Sequence, residues 1–168
     1  MSISARAKIS KYADIETSVR GSTLSIGDNS VIDSFVKIKF CGGSGNISIG
    51  SHCYINSGCV LYSGNGITIG NDVLIASNCT FAPVNHAFSS QEKPIRQQGF
   101  LPSRGGIVIE DDCWIGANVV ILDGTHIAKG CVIGASSLVK GQLEPYGIYG
   151  GNPLKFIRMR DESNSSRG

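Results

Sequence analysis

From Ile109 to Val139 a large aliphatic residue falls at every sixth position without a slip: Ile109, Ile115, Ile121, Ile127, Ile133, Val139. No other feature of the chain constrains its fold as tightly. Six residues turn a helix through about 600°, so successive isoleucines would step about 120° around it and form no single apolar stripe. Six is an even number, however, and in extended chain all of these residues point to one face. Four residues after each aliphatic comes a smaller one (Cys113, Val119, Thr125, Cys131, Ser137), two places before the next. Pairs such as Val119/Ile121 and Cys131/Ile133 therefore alternate as half-buried strands do. Between the pairs lie Gly116-Ala117-Asn118, Leu122-Asp123-Gly124 and Ala128-Lys129-Gly130, whose third residues accept a left-handed backbone cheaply. Each unit is one very short strand and one corner. It cannot bury its face alone and must stack, which is the logic of a solenoid.

The unit recurs along most of the chain. Ile3, Ile9 and Ile15 are spaced by six, with Ala7, Ala13 and Val19 at the small positions, and Ile26/Ile32, Ile49/Ile55/Leu61 and Ile69/Ile75/Phe81 repeat it in new phases. Leu24-Ser25-Ile26-Gly27, Ile47-Ser48-Ile49-Gly50 and Ile67-Thr68-Ile69-Gly70 share a second mark, which returns as Ile107-Val108-Ile109-Glu110. Their starts are 23, 20 and 40 residues apart, giving turns of roughly twenty residues with loops inserted at corners. The sides of such a solenoid read as mostly polar.

With 168 residues, 41% of them hydrophobic, the chain is expected to form one domain. No run approaches the ~20 apolar residues of a membrane span, and MSISARAKIS lacks a signal peptide's apolar core. A net charge of +2 and few aromatics argue against nucleic acid as a partner. Cys53, Cys59, Cys79, Cys113 and Cys131 occupy small inward positions and Cys41 does not, so cysteine reads here as a small buried hydrophobe. No C-x-x-C pair points to zinc or redox work, and reduced thiols without an export signal imply the cytoplasm.

The period fails between Phe81 and Ile107, where APVNHAFSSQEKPIRQQGFLPSRGG carries three prolines. This stretch, residues 82–106, reads as a long loop projecting from one corner, and loops of this length often carry function. Asn85-His86 open it, directly after a regular coil. On chemistry alone His86 is either a solvated side chain or a catalyst.

The order of the motifs adds a resemblance. A hexapeptide array is followed by Asn85-His86, then Trp114-Ile115-Gly116, Ile133-Gly134-Ala135-Ser136-Ser137, and Tyr149-Gly150-Gly151-Asn152-Pro153 with a basic ending. This resembles the hexapeptide-repeat acyltransferases, and within them the maltose/galactoside O-acetyltransferase and polysaccharide O-acetyltransferase branch. The resemblance implies an all-β fold, a left-handed parallel β-helix of triangular section over residues 1–153. It further implies a short C-terminal helix over 154–160, and the polar residues 161–168 are expected to be a disordered tail. It implies a homotrimer with acetyl-CoA in a groove between adjacent subunits.

For the site, the resemblance makes His86 the general base that takes a proton from a sugar hydroxyl as it attacks the thioester. No metal and no covalent acetyl-enzyme is required. The oxyanion donor is a backbone N–H or Asn85. Asn56 matches the position that bonds the acceptor hydroxyl, though asparagine also simply favours a corner. Other acceptor-contacting positions do not carry over, since the matching stretches hold Gly42-Gly43 and Gly64. Backbone groups of Ala117 and Ala135 would bond the pantetheine arm, with Trp114 lining the groove. Lys140, Lys155 and Arg158 would meet the CoA phosphates, the last two from the helix. The implied activity is O-acetylation of a bacterial surface polysaccharide. N-acetylation of a nucleotide-linked amino sugar and antibiotic acetylation stay open. A zinc enzyme on this scaffold would use a close histidine pair, whereas His52, His86 and His126 are 34 and 40 residues apart. A purely binding solenoid would need neither Asn85-His86 nor the long loop.

Overall fold

A computed structural model describes residues 1–161; residues 162–168, most of the tail expected to be disordered, lie outside the described residues. The chain winds through three parallel sheets in turn. Sheet A runs from Ser2–Ile3 through Leu24–Ile26, Ile47–Ile49, Ile67–Ile69, Ile107–Ile109 and Thr125–Ile127 to Gln142–Leu143. Sheet B starts at Lys8–Ile9 and includes Tyr54–Ile55, Leu74–Ile75, Trp114–Ile115 and Gly147–Gly150; sheet C runs from Asp14–Ile15 to Leu138–Val139. Neighbouring strands stack in register, Leu24 on Ile47, Ile67 and Ile107, and Leu61 on Phe81 and Ile121.

The six-residue period is the reason for this register. Ile109, Ile115, Ile121, Ile127, Ile133 and Val139 are each at most 1% exposed and form the inner columns of the coil. Each such burial is worth about 1.5–3 kcal/mol. The small inward residues Cys113, Val119, Thr125, Cys131 and Ser137 lie beside them, all buried. Corners turn where the sequence placed them, with left-handed backbone at Asn118 (φ 57°), Gly124 (φ 79°) and Gly130 (φ 74°). Connections longer than four residues leave from one edge, between sheet C and the next strand of sheet A, at 16–23, 40–46 and 83–106.

Four expectations are corrected. Val19, expected inward, is 94% exposed: the Ser18 hydroxyl accepts the N–H groups of Arg20 and Ser22 and turns this segment out of the coil. Ile3 and Ile9 are 38% and 37% exposed, because no described coil stacks beneath the first. The expected C-terminal helix is a strand, Lys155–Met159, which folds back antiparallel on Gly147–Gly150. Sheet B ends there with a row of unpaired backbone groups, and the returning strand satisfies and covers them. Arg160 fixes the return by donating to the Gly130 carbonyl (2.9 Å) and to the Asp112 carboxylate (2.9 Å).

The sides are the fourth correction. Only sheet A is mostly polar outside, with Ser25 bonded to Ser48 (3.0 Å) and His126 held between Glu110 (2.7 Å) and Gln142 (2.9 Å). Sheet B turns Val31, Tyr54, Leu74, Trp114 and Val132 outward. Sheet C turns out Val60, Tyr62, Val120, Leu122 and Leu138. Sheet B is therefore apolar outside above Lys8, and sheet C from Val60 upward apart from Thr80, with Asp14, Lys37 and Lys39 on the coils below. The two faces share the edge between sheets B and C.

Candidate active site

The sequence-predicted residues collect on two edges. Asn85 and His86 stand on the edge between sheets C and A, at the start of the long loop. Val84, just before them, packs into room left by glycines: a Cβ on Gly42 would lie 3.0 Å from a Val84 methyl, and one on Gly64 2.8 Å. His86 forms an antiparallel bridge with Phe100. On either side of it the Ala87 N–H donates to the Gly99 carbonyl (3.0 Å) and the Leu101 N–H to the Asn85 carbonyl (2.8 Å). The loop thus closes on itself like a short hairpin and presents an exposed imidazole on a braced backbone. The Phe100 ring lies against that imidazole, 4.7 Å between centroids and tilted by 32°. No carboxylate pairs with His86 among the described residues.

The loop's exit is anchored too. Asp123, 6% exposed, accepts the N–H of Arg104 (2.8 Å) and of Gly106 (2.9 Å) on its two oxygens. Phe100 and Asp123 were not legible as site residues. Phe100 reaches His86 only through the loop's closure, which no period marks, and Asp123 reads as an ordinary corner acid.

The second edge, between sheets B and C, carries Asn56, Ala117 and Ala135, the last two on successive corners and Asn56 two corners below Ala117. Half-buried Asn56 donates from its amide nitrogen to the Ile75 carbonyl (3.1 Å), so it braces the corner and keeps its amide oxygen unspent. Ala117 accepts the Ser136 N–H at its carbonyl (2.8 Å), while the N–H groups of Ala117 and Ala135 take no partner among the described residues. Trp114, 54% exposed, flanks this edge on sheet B. Unpaired amide donors beside an indole suit an extended arm rich in amide carbonyls, and small side chains leave that backbone open.

Lys140 lies at the C-terminal end, where it lines a hollow of about 250 Å³ with Leu143, Tyr149, Asn152 and Phe156. Lys155 and Arg158 are exposed, but the structure does not gather them. On a helix they would be neighbours about 5–6 Å apart, whereas in a strand three residues span about 10 Å. Arg158 donates to the Met159 carbonyl (3.1 Å). The anchoring cation of this segment is Arg160, which sequence reasoning did not single out.

The thiolate is disfavoured at four of the five inward cysteines. Burial pushes the Cys113 thiol up to about 12 and raises Cys53 and Cys131. Cys59 and Cys79 are free thiols buried against each other: their mutual hydrogen bond raises Cys59 and lowers Cys79, and both donate to the Ala76 carbonyl at 3.2 Å. The three histidines stand apart: His52 beside Asp72, His126 on sheet A, His86 on the loop.

Comparison with known proteins bears on this arrangement. Residues 46–81 match the hexapeptide repeat of succinyl-transferase, and residues 106–141 match the bacterial transferase hexapeptide, six repeats. A variant of AntD, an N-acyltransferase from Bacillus cereus solved with dTDP and coenzyme A, superposes with a TM-score of 0.80 at 27% identity, over 96% of this chain and 85% of that one. A chloramphenicol acetyltransferase of Agrobacterium fabrum is 35% identical over 123 residues, 73% of this chain; the match spans 56% of that relative's length. A hexapeptide-repeat-containing acetyltransferase from Vibrio cholerae, complexed with acetyl-coenzyme A, gives a TM-score of 0.71 at 34% identity over 81% of this chain. The fold is a left-handed parallel β-helix. Since the Vibrio enzyme is covered over 71% of its own length at that identity, and both repeat models agree, the chain belongs to the hexapeptide-repeat acyltransferase family.

Proposed function

We propose that the protein is an acetyl-CoA-dependent O-acetyltransferase that moves acetyl to a sugar hydroxyl, in the cytoplasm and in the service of a bacterial surface polysaccharide. We also propose that its sites form between subunits of a homotrimer. One observation carries this reading: the two half-sites flank the same apolar face. Sheet C is bounded on one side by the edge with Asn56, Ala117 and Ala135, and on the other by the edge with Asn85 and His86. Three copies with sheet C turned toward a common axis would bury Val60, Val120, Leu122 and Leu138. The same rotation sets the His86 edge of one subunit against the Ala117–Ala135 edge of the next, a heterologous contact that closes.

The chemistry follows from the residues. A hydroxyl oxygen attacks the thioester carbonyl while the His86 imidazole takes its proton, so the C–O bond forms without a free alkoxide. The carbonyl electrons move onto oxygen, where Asn85 or a backbone N–H donates to the oxyanion. Collapse breaks the C–S bond, and His86 returns the proton to the departing thiolate. The cofactor's phosphates fall to Lys140 at its hollow and to Lys155 and Arg158 acting singly, each exposed contact worth a few tenths to ~1 kcal/mol.

The superposition on AntD over 96% of the chain, and a second AntD structure solved with dTDP-4-amino-4,6-dideoxyglucose and coenzyme A, favour a second reading, transfer to the amine of a nucleotide-linked amino sugar. Product chemistry separates the two. With acetyl-CoA and a panel of hexopyranosides, nucleotide-linked amino sugars and chloramphenicol, the expected product is a sugar ester whose acetyl is lost in mild base. A base-stable amide as the preferred product contradicts O-acetylation.

A further inference from the structure

The edge between sheets B and C has a lower part that the proposed reaction leaves unused. At successive coils this edge turns through left-handed backbone at Phe35 (φ 62°), Gly58 (φ 73°), Asn78 (φ 61°), Asn118 (φ 57°) and Ser136 (φ 60°). Four of these are glycine or small polar residues, which tolerate the turn. Phe35 is neither, and an aromatic side chain is strained in this conformation. Burial does not offset that strain, because Phe35 is 64% exposed. The ring instead stacks on Tyr12 one coil below, 5.9 Å between centroids and 25° between planes, and Tyr12 is itself 57% exposed. The Lys11 ammonium lies 5.0 Å from the centre of the Tyr12 ring.

One coil above Phe35 the same position is Gly58, so no side chain covers the ring from its own column. The next side chain up is Asn78, whose amide oxygen leans back into the place a Cβ on Gly58 would take. The Phe35 ring is therefore left largely exposed, with the Asn78 amide above it at the level of Asn56. The insertion edge at these coils is built of tightly stacked glycines: a Cβ on Gly43 would run into the Gly64 carbonyl and one on Gly45 into the Gly66 nitrogen, while Val84 packs over Gly42 and Gly64.

We propose that Phe35, backed by Tyr12, is the platform on which the acceptor's ring lies. This rests on the intersubunit reading above. If the CoA arm follows Ala117 and Ala135, the acceptor must approach the thioester from the other direction, along the coils of Asn56 and Phe35. There it would enter between the aromatic wall of one subunit and the glycine wall of its neighbour. The class that fits is a neutral pyranose. Its C–H face stacks on the phenyl ring, while its rim hydroxyls reach the amides of Asn56 and Asn78. The Asp33 carboxylate, which accepts the Ser34 N–H (2.6 Å) and the Ser57 hydroxyl (3.3 Å), stiffens the corner that bears the ring.

The test uses the full chain with methyl β-D-galactopyranoside and maltose as acceptors, and acetyl-CoA hydrolysis without acceptor as a control. Phe35→Ala is expected to raise the acceptor KM about tenfold. The KM for acetyl-CoA, the acceptor-free hydrolysis and the sedimentation coefficient should be unchanged, and Phe35→Trp should keep the wild-type acceptor KM. An unchanged acceptor KM in Phe35→Ala overturns the proposal. So does dissociation of the oligomer, which would make the ring a subunit contact. If the wild type acetylates neither pyranoside while its acetyl-CoA hydrolysis still depends on His86, the platform falls and the acyltransferase reading stands. Hydrolysis independent of His86 would instead sink the acyltransferase reading, and with it the platform.

Discussion

Replacing His86 with alanine should lower kcat by about 10²–10⁴, the usual worth of a positioned general base. The variant should fold as the wild type does, because His86 is exposed and its side chain touches the Phe100 ring rather than the core. Its affinity for CoA should also hold, since the open amide groups of Ala117 and Ala135 lie on a different edge. The effect should therefore appear in kcat with the KM for acetyl-CoA nearly constant, the pattern of an interaction made only as the proton moves. Thermal unfolding, CoA titration and turnover on one preparation distinguish this from damage to the fold. Turnover close to wild type would remove His86 from the mechanism.

The solenoid was legible because its signal is redundant. Each coil must repeat the inward aliphatics and the left-handed corners of its neighbours, so Ile109 to Val139 announces the fold in residues that are all buried. What escaped were the places where stacking stops. Val19 keeps the spacing of six yet points to solvent, because the Ser18 hydroxyl competes for the local backbone donors. The strand Lys155–Met159 was read as a helix because its task is set from outside, by the open edge of Gly147–Gly150. A capping strand needs backbone pairing and carries no period of its own. The resemblance placed Asn85, His86, Asn56 and the two alanines on a scaffold, but their division between two edges follows from the order of sheets within a coil. Phe100 beside His86 and Asp123 beneath the loop's exit depend on how an irregular segment closes, for which no pattern in the chain stands.

That division is the centre of the account, and subunit mixing tests it directly. Ala135→Trp should abolish transfer by filling the groove at an exposed corner, where the new ring disturbs no packing inside the coil. Trimers made wholly of His86→Ala subunits or wholly of Ala135→Trp subunits should both be nearly inactive. Each site needs an intact His86 from one subunit and an intact Ala135 from the next. In every trimer that contains both variants, in either ratio, one of the three sites should then be whole, about a third of the total, as a closed heterologous ring requires. Co-expression of the two variants with different affinity tags, tandem purification of the mixed trimers and an acetyl-transfer assay give the measurement. Recovery of activity to roughly that fraction is the predicted result; mixed trimers as inactive as either parent would contradict it and return the whole site to a single chain.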